Sequence, residues 1–270
     1  MTRALRFIAD DYGLSPGVSD AILELIARGR LTGTGCMTAF PDWPDHAARI
    51  RPVHTSIGLH LTLTDQVAAT GKSSLAPDGT LPPLSKLALP FPRSSVNESD
   101  VHAELDAQLG RFTNEIGHEP DYIDGHQHVH FLPVVRKWLI AHPWRQRPAL
   151  RGAPKLRPGL NGTTAKTAVI ATLAAGFDRA MAHAGFRLWK PLSGIYDWRD
   201  ATAFEPTVRS ALAHLPGGAI FMCHPGHTDD VLRGRDPMQE VREAEFRYLA
   251  SDAFGTLLTH AGVRIDGQQP

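Results

Sequence analysis

The chain has 270 residues, 42% of them hydrophobic, which is enough for a substantial core in one large domain or two small ones. Its 28 basic and 28 acidic residues cancel, so it carries neither the electrostatic footprint of a nucleic-acid binder nor an acidic tail. Histidine is the residue in excess, at 14 copies, while the two cysteines, Cys36 and Cys223, sit in apolar or small-residue runs and read as reduced core residues.

In chain order, residues 5–9 read as a buried strand ending at Asp10-Asp11-Tyr12-Gly13, and Ser15-Pro16 supplies a cap and a first-turn proline for a helix to about residue 28. A second strand over 35–39 and a short helix over 42–50 follow, and then residues 55–63 alternate as a third strand. Residues 67–93 are rich in Pro, Gly, Ser and Ala without a period, which predicts a functional loop, read here as a substrate-side lid. Apolar spacing at Val101, Leu105, Leu109 and Phe112 predicts a helix over 98–116, which leads into a strand at Tyr122-Ile123. Further on, helices are expected over 133–141, 164–184, 207–214 and 238–251, with strands at 149–151, 218–223 and 263–265. Strands alternating with helices predict an α/β fold with parallel pairing, of a size that permits a barrel. With no linker or internal repeat, one domain over residues 1–270 is expected. The start of the chain has no basic stretch before an apolar core, and no apolar run is long enough to span a bilayer. No integral membrane segment is therefore expected, and a cytoplasmic enzyme is the simplest reading.

The run Asp124-Gly125-His126-Gln127-His128-Val129-His130 places a carboxylate and three imidazoles at alternate positions. Were the segment extended, all four would face one way. Imidazoles at that density need partners for their nitrogens, and a divalent metal is the obvious one. A rise of about 3.3 Å per residue would separate His126 from His130 by roughly 13 Å, so at most two of the three bind one ion. Asp10 and Asp11 lie at a strand terminus, where one can bind metal while the other acts as base; a polar strand end leading into a turn is the plainer alternative. His60, in Gly58-Leu59-His60-Leu61-Thr62, is either a hydrogen-bonded core histidine or a ligand. With Asp11 and one histidine of the run it completes an Asp-His-His set that leaves positions open for water and substrate. Asp124 is better placed to fix an imidazole tautomer than to bind metal directly. His224, between Cys223 and Pro225, can protonate a leaving group or hold substrate, or is simply a strand-end histidine capped by a turn. His227 and Asp229 read as loop residues, and His46, His54, His102, His118 and His142 mostly as solvent-facing. Neither a phosphate-cradling glycine loop nor a GxSxG elbow is present.

Ala9-Asp10-Asp11-Tyr12-Gly13-Leu14-Ser15, Gly58-Leu59-His60, Ile123-Asp124-Gly125-His126-Gln127-His128-Val129-His130 and Met222-Cys223-His224-Pro225, in that order and spacing, resemble the YdjC-type carbohydrate deacetylase family, also called the ChbG/HpnK group. The resemblance implies an irregular (β/α) barrel related to polysaccharide deacetylases. It also implies one divalent metal held by Asp11, His60 and His126, with Asp10 as catalytic base, and hydrolysis of an acetamide on an amino sugar. Two positions depart from the family pattern: Tyr12 stands where Phe is frequent, and Gly125 and Gln127 flank His126 where a Ser-His pair is frequent. Residues 145–198 match none of the motifs. Zinc or magnesium, with manganese, cobalt or nickel as alternatives, suits the ligand types. The expected partner is a small carbohydrate, and a homodimer is left open. The rival readings are a metal-dependent phosphoesterase or other amidohydrolase, for which no Lys/Arg cluster lies beside the motifs, and a non-catalytic sugar-binding protein, which would have no need of Asp10.

Overall fold

A computed structural model describes residues 2–87, 96–155 and 164–266. The first half of the chain runs β1 (Arg3–Tyr12), α1 (Pro16–Ala27), β2 (Gly33–Cys36), α2 (Trp43–Ile50), β3 (Ser56–Leu61), α3 (Leu84–Leu87), α4 (Glu98–Ile116), β4 (Tyr122–Gly125), α5 (Pro133–Ala141) and β5 (Ala149–Arg151). The second half runs α6 (Thr164–Leu173), α7 (Phe177–His183), β6 (Leu188–Trp189), β7 (Leu192–Ser193), α8 (Phe204–His214), β8 (Ile220–Cys223), α9 (Asp230–Arg235), α10 (Gln239–Ala250), α11 (Asp252–His260) and β9 (Val263–Ile265).

All strand pairs between these elements are parallel, in the order β6-β5-β4-β3-β2-β1-β8-β7, with β9 against the start of β1. A further parallel bridge, Pro154 to Leu192, ties the chain just past β5 to β7, so the two ends of the sheet nearly meet. The result is an irregular (β/α) barrel. The inner strands β2, β4 and β8 are buried on both faces, as a parallel sheet covered by helices requires. Close approach between strands is bought with glycine: a Cβ on Gly58 would lie 2.3 Å from the Tyr122 ring, and one on Gly33 would lie 2.1 Å from the Ser56 carbonyl oxygen.

Helix starts and stops follow local chemistry. Ser15 accepts a hydrogen bond from the Val18 amide at the head of α1, and Ser251 does the same for Phe254 in α11. The α4 helix buries Val101, Leu105, Leu109 and Phe112 as its apolar spacing predicts, and it ends on Gly117 in the left-handed conformation. It also buries a polar stripe. Gln108 bonds both the amide and the carbonyl of Thr62, and the Glu104 carboxylate accepts from the amides of Ala69 and Thr70. The loop leaving β3 is thereby pinned to α4 over its first turns; residues 88–93 of the predicted lid lie outside the described residues.

Several expectations are corrected. The helix expected over 164–184 is two helices, broken around Gly176, whose φ of 72° glycine adopts without steric cost. The short strands β6 and β7 and the helices α3, α9 and α11 were not anticipated. The strand carrying the histidine run stops at Gly125. Residues His126–Phe131 form a tight 3-10 turn, with Gln127 and His128 at φ 49° and 62°. The expected four-residue alternation is therefore broken, and His128 and His130 pack with Phe131 at ring distances of 6.1 and 4.0 Å. His46, expected at the surface, is buried.

Candidate active site

The chemistry-bearing residues gather at the C-terminal ends of the strands, the rim where barrels build their sites. In β1, two steps along β2 (Thr34 to Cys36) face three steps along β1 (Ala9 to Tyr12), so one extra residue is accommodated as a bulge. Asp11 there has φ 70°, the left-handed region. Regular alternation would send consecutive side chains to opposite faces; the bulge turns both Asp10 and Asp11 toward one site.

The β3–β4 register sets His60 directly beside Asp124. The His60 Nδ1 atom lies 2.6 Å from Asp124 Oδ1, which leaves Nε2 facing Asp11 Oδ1 at 3.3 Å. His126, the first residue past β4, approaches the same Asp11 oxygen with Nδ1 at 3.1 Å. Asp11, His60 and His126 thus present one donor atom each within 4.8 Å of one another. The space taken by the His60–Asp124 pair exists because β2 has glycine beside it: a Cβ on Gly35 would sit 3.1 Å from both Asp124 Oδ1 and His60 Nδ1.

A second group, Asp10, His60 and Asp124, satisfies the same distance condition. Its two carboxylates are already bridged by a cation. Arg151, buried at the end of β5, donates to Asp10 Oδ2 at 2.7 Å and Oδ1 at 2.5 Å and also pairs with Asp124. Three buried carboxylates, Asp10, Asp11 and Asp124, therefore face two guanidiniums, Arg151 and Arg242, and the latter is shared with Asp236. Negative charge is left over beside the imidazoles, and the Asp11-His60-His126 donor set is of the type that holds a divalent ion. The chain's own residues fit such a group.

The ionisation pattern agrees. Burial opposes a charge on Asp11, yet Arg242, His126 and His60 overcome it and hold this carboxyl well below its ordinary range. For Asp10 burial prevails over Arg151 and the group is raised. His60 is buried too, but Asp124 and Asp10 favour positive charge there and push it up to about 10. The surroundings favour a positive charge at this point, whether it arrives as a proton or as a metal ion. His126 is the outermost of the three, with 18% of its side chain exposed.

On the other side of β1, the Ala9–Cys223 pair brings His224 next to Asp10, with His224 Nε2 at 3.7 Å from Asp10 Oδ2. Trp198 sets its ring edge-on to this imidazole at 4.3 Å. Behind it, buried Glu245 accepts from the His224 amide at 2.5 Å and from the Tyr196 hydroxyl. Burial pushes Glu245 up to about 7 against the pull of those two donors and of Arg242.

All five residues singled out in the sequence, Asp10, Asp11, His60, His126 and His224, meet in one neighbourhood, with Asp124 alongside. Arg151, Arg242, Glu245, Trp198 and Gly35 were not singled out. Only Arg151 left a trace, as a charged residue closing a short apolar strand. Tyr12, the first departure from the family pattern, sends its hydroxyl to the His46 carbonyl at 2.8 Å. Gln127, in the second, hydrogen-bonds Asp65 at 2.7 Å on the exposed rim.

Fold and site define a parallel (β/α) barrel with a carboxylate–imidazole cluster at its C-terminal rim. The YdjC-like protein family matches residues 4–260, and the chain belongs to that family. A carbohydrate deacetylase of Halalkalibacterium halodurans is 26% identical over 251 residues, covering 89% of this chain and 92% of that protein. A chitooligosaccharide deacetylase of Klebsiella pneumoniae subsp. pneumoniae is 28% identical over 87% of this chain and 86% of its own length. Among solved structures, a candidate cellobiose-phosphate cleavage protein of Enterococcus faecalis V583 superposes with a TM-score of 0.71 at 21% identity, covering 98% of this chain and 97% of that one.

Proposed function

We propose that this protein is a metal-dependent hydrolase that removes acetyl from an N-acetylated amino sugar or oligosaccharide. The observation that carries the reading is the approach of His60 and His126 to a single oxygen of Asp11, with Asp10 next to it and His224 3.7 Å from Asp10. The family, and the deacetylases within it, support the substrate class.

In this reading Asp11, His60 through Nε2 and His126 through Nδ1 hold one divalent cation, zinc or magnesium, with manganese, cobalt or nickel as alternatives. The bound ion supplies Lewis-acid polarisation of the acetamide carbonyl and acidifies a water. Asp124 accepts the Nδ1 proton of His60 and so keeps Nε2 free as a ligand atom. Asp10 removes the proton of the attacking water. Burial raises its affinity for that proton, while the Arg151 fork fixes the orientation of both its oxygens. His224 gives a proton to the amide nitrogen as the C–N bond breaks, which yields acetate and a free amine. Trp198 and the backbone bond to Glu245 hold its ring in place. The enzyme works as one domain over residues 1–270, in the cytoplasm, on a small carbohydrate, with the loop over 67–93 read as its substrate-side lid. The start of that loop is anchored at Ala69 on Glu104 and Arg111 of α4.

The test is a panel of N-acetylated sugars, diacetylchitobiose included, assayed for acetate with the wild type, Asp10→Asn and His224→Ala. Acetate release by the wild type alone is expected. Phosphate release from phosphorylated sugars with no acetate from any substrate would contradict the reading.

A further inference from the structure

Helix α10 runs behind the site and buries an arginine that the steps above leave without a role. The Arg242 Nη2 atom donates to Asp11 Oδ2 at 2.6 Å, while Nε donates to Asp236 Oδ2 at 2.9 Å, and Nη1 lies 3.5 Å from the His224 carbonyl. The side chain is completely buried. The carboxylate of Asp11 is therefore divided. Its Oδ1 faces His60 and His126, and its Oδ2 is held from behind. Asp11 itself sits on a bulge in the left-handed region, a conformation that an L residue keeps only where its surroundings impose it.

A guanidinium beside a metal-ligating carboxylate has two opposed effects. It orients the carboxylate through hydrogen bonding, and its charge repels the incoming cation. Here the second effect is reduced by Asp236, which takes Nε and also pairs with Nη2, so that part of the arginine's charge is balanced on the side away from Asp11. The first effect is orientation: a buried N–H, itself fixed by Asp236, that holds Asp11 Oδ2 and so keeps Oδ1 turned toward the two imidazoles.

Building on the metal-site reading above, we propose that Arg242, anchored by Asp236, is a positioning residue that presets Asp11 for the metal ion. The test is the affinity of the metal-free full-length protein for Zn²⁺ alone, measured by competition with a chromogenic chelator and needing no sugar. Arg242→Met, which keeps much of the apolar stem and removes the fork, is expected to bind Zn²⁺ about 10- to 100-fold more weakly. Arg242→Lys, which restores a single donor, is expected to recover part of that loss. Asp236→Asn, which leaves the arginine's charge uncompensated beside Asp11, is expected to weaken binding as well. A folded Arg242→Met protein with wild-type Zn²⁺ affinity would overturn the proposal; where that variant does not fold, wild-type affinity in Asp236→Asn would do so. A wild type that binds Zn²⁺ but releases acetate from no sugar would contradict the deacetylase reading and leave this one standing, whereas a wild type that binds none of Zn²⁺, Mg²⁺, Mn²⁺, Co²⁺ and Ni²⁺ would overturn both.

Discussion

Asp10, Asp11, His60, His126 and His224 were legible in the sequence because their residue types are costly to bury without a partner, and each stood at or beside a predicted strand end. Arg151 and Arg242 were not, since a charged residue in a short strand or an amphipathic helix ordinarily faces water. The structure inverts that expectation: both guanidiniums are buried and bind the carboxylates that the sequence had singled out. Removing one partner of a buried ion pair leaves an uncompensated charge, at a cost of about 3–5 kcal/mol. Arg151→Met, which strips the cation from Asp10 and Asp124 together, is therefore expected to lower stability by about that amount in urea denaturation; a loss below about 1 kcal/mol would contradict the role given to this arginine. At the proposed metal site, His60→Ala and His126→Ala are expected to abolish turnover while His142→Ala, at the C-terminal end of α5, retains it. Equal effects in all three would contradict the assignment.

The longer elements were legible from periodicity. In α4 the spacing of Val101, Leu105, Leu109 and Phe112 marks a face, and the core lies where that face points. The shortest of the elements that escaped lack any period. The two-residue strands β6 and β7 give no alternation to read, and the turn at His126–Phe131 rests on left-handed Gln127 and His128, which no glycine announces. That turn decides the fate of the histidine run, since it keeps His126 at the rim and sends His130 into contact with Phe131 and Phe177. Glycines in the strands carry a different meaning, close packing of one strand on the next. The Gly58 Cα faces the buried Tyr122 ring, so Gly58→Ala drives a methyl into an aromatic that has no room to retreat. Overpacking of this kind typically costs about 1–3 kcal/mol, and a drop in the thermal midpoint is expected. An unchanged midpoint would show that β3 and β4 can separate at little cost.

Over the whole molecule, strand order and near closure gather residues from β1, β3, β4, β5 and β8 at one end of the barrel, and α10 braces them from outside. Sequence alternation pointed to parallel strands and helices, but it could not tell that the bridge from Pro154 to Leu192 would bring the two ends of the sheet together. The brace has a pH signature. Glu245 is raised to about 7 by burial from an ordinary 4.5, so the folded protein holds its proton more tightly than the unfolded chain does. Its contribution to stability is full below pH 4.5, declines as pH rises toward 7 and is flat above. Glu245→Gln keeps the shape of the protonated form, so wild-type stability is expected to fall relative to this variant between pH 5 and 7 in chemical denaturation. A constant difference across that range would contradict the buried, proton-holding state of Glu245.

The most direct measurement of the central claim is acetate release from diacetylchitobiose by protein stripped with a chelator and then supplied with single divalent metals. Activity that disappears on stripping and returns with a metal in the wild type, but not in His60→Ala or Asp10→Asn, is the predicted result. Wild-type protein shown by elemental analysis to hold a metal and yet releasing no acetate from any N-acetylated sugar would contradict it.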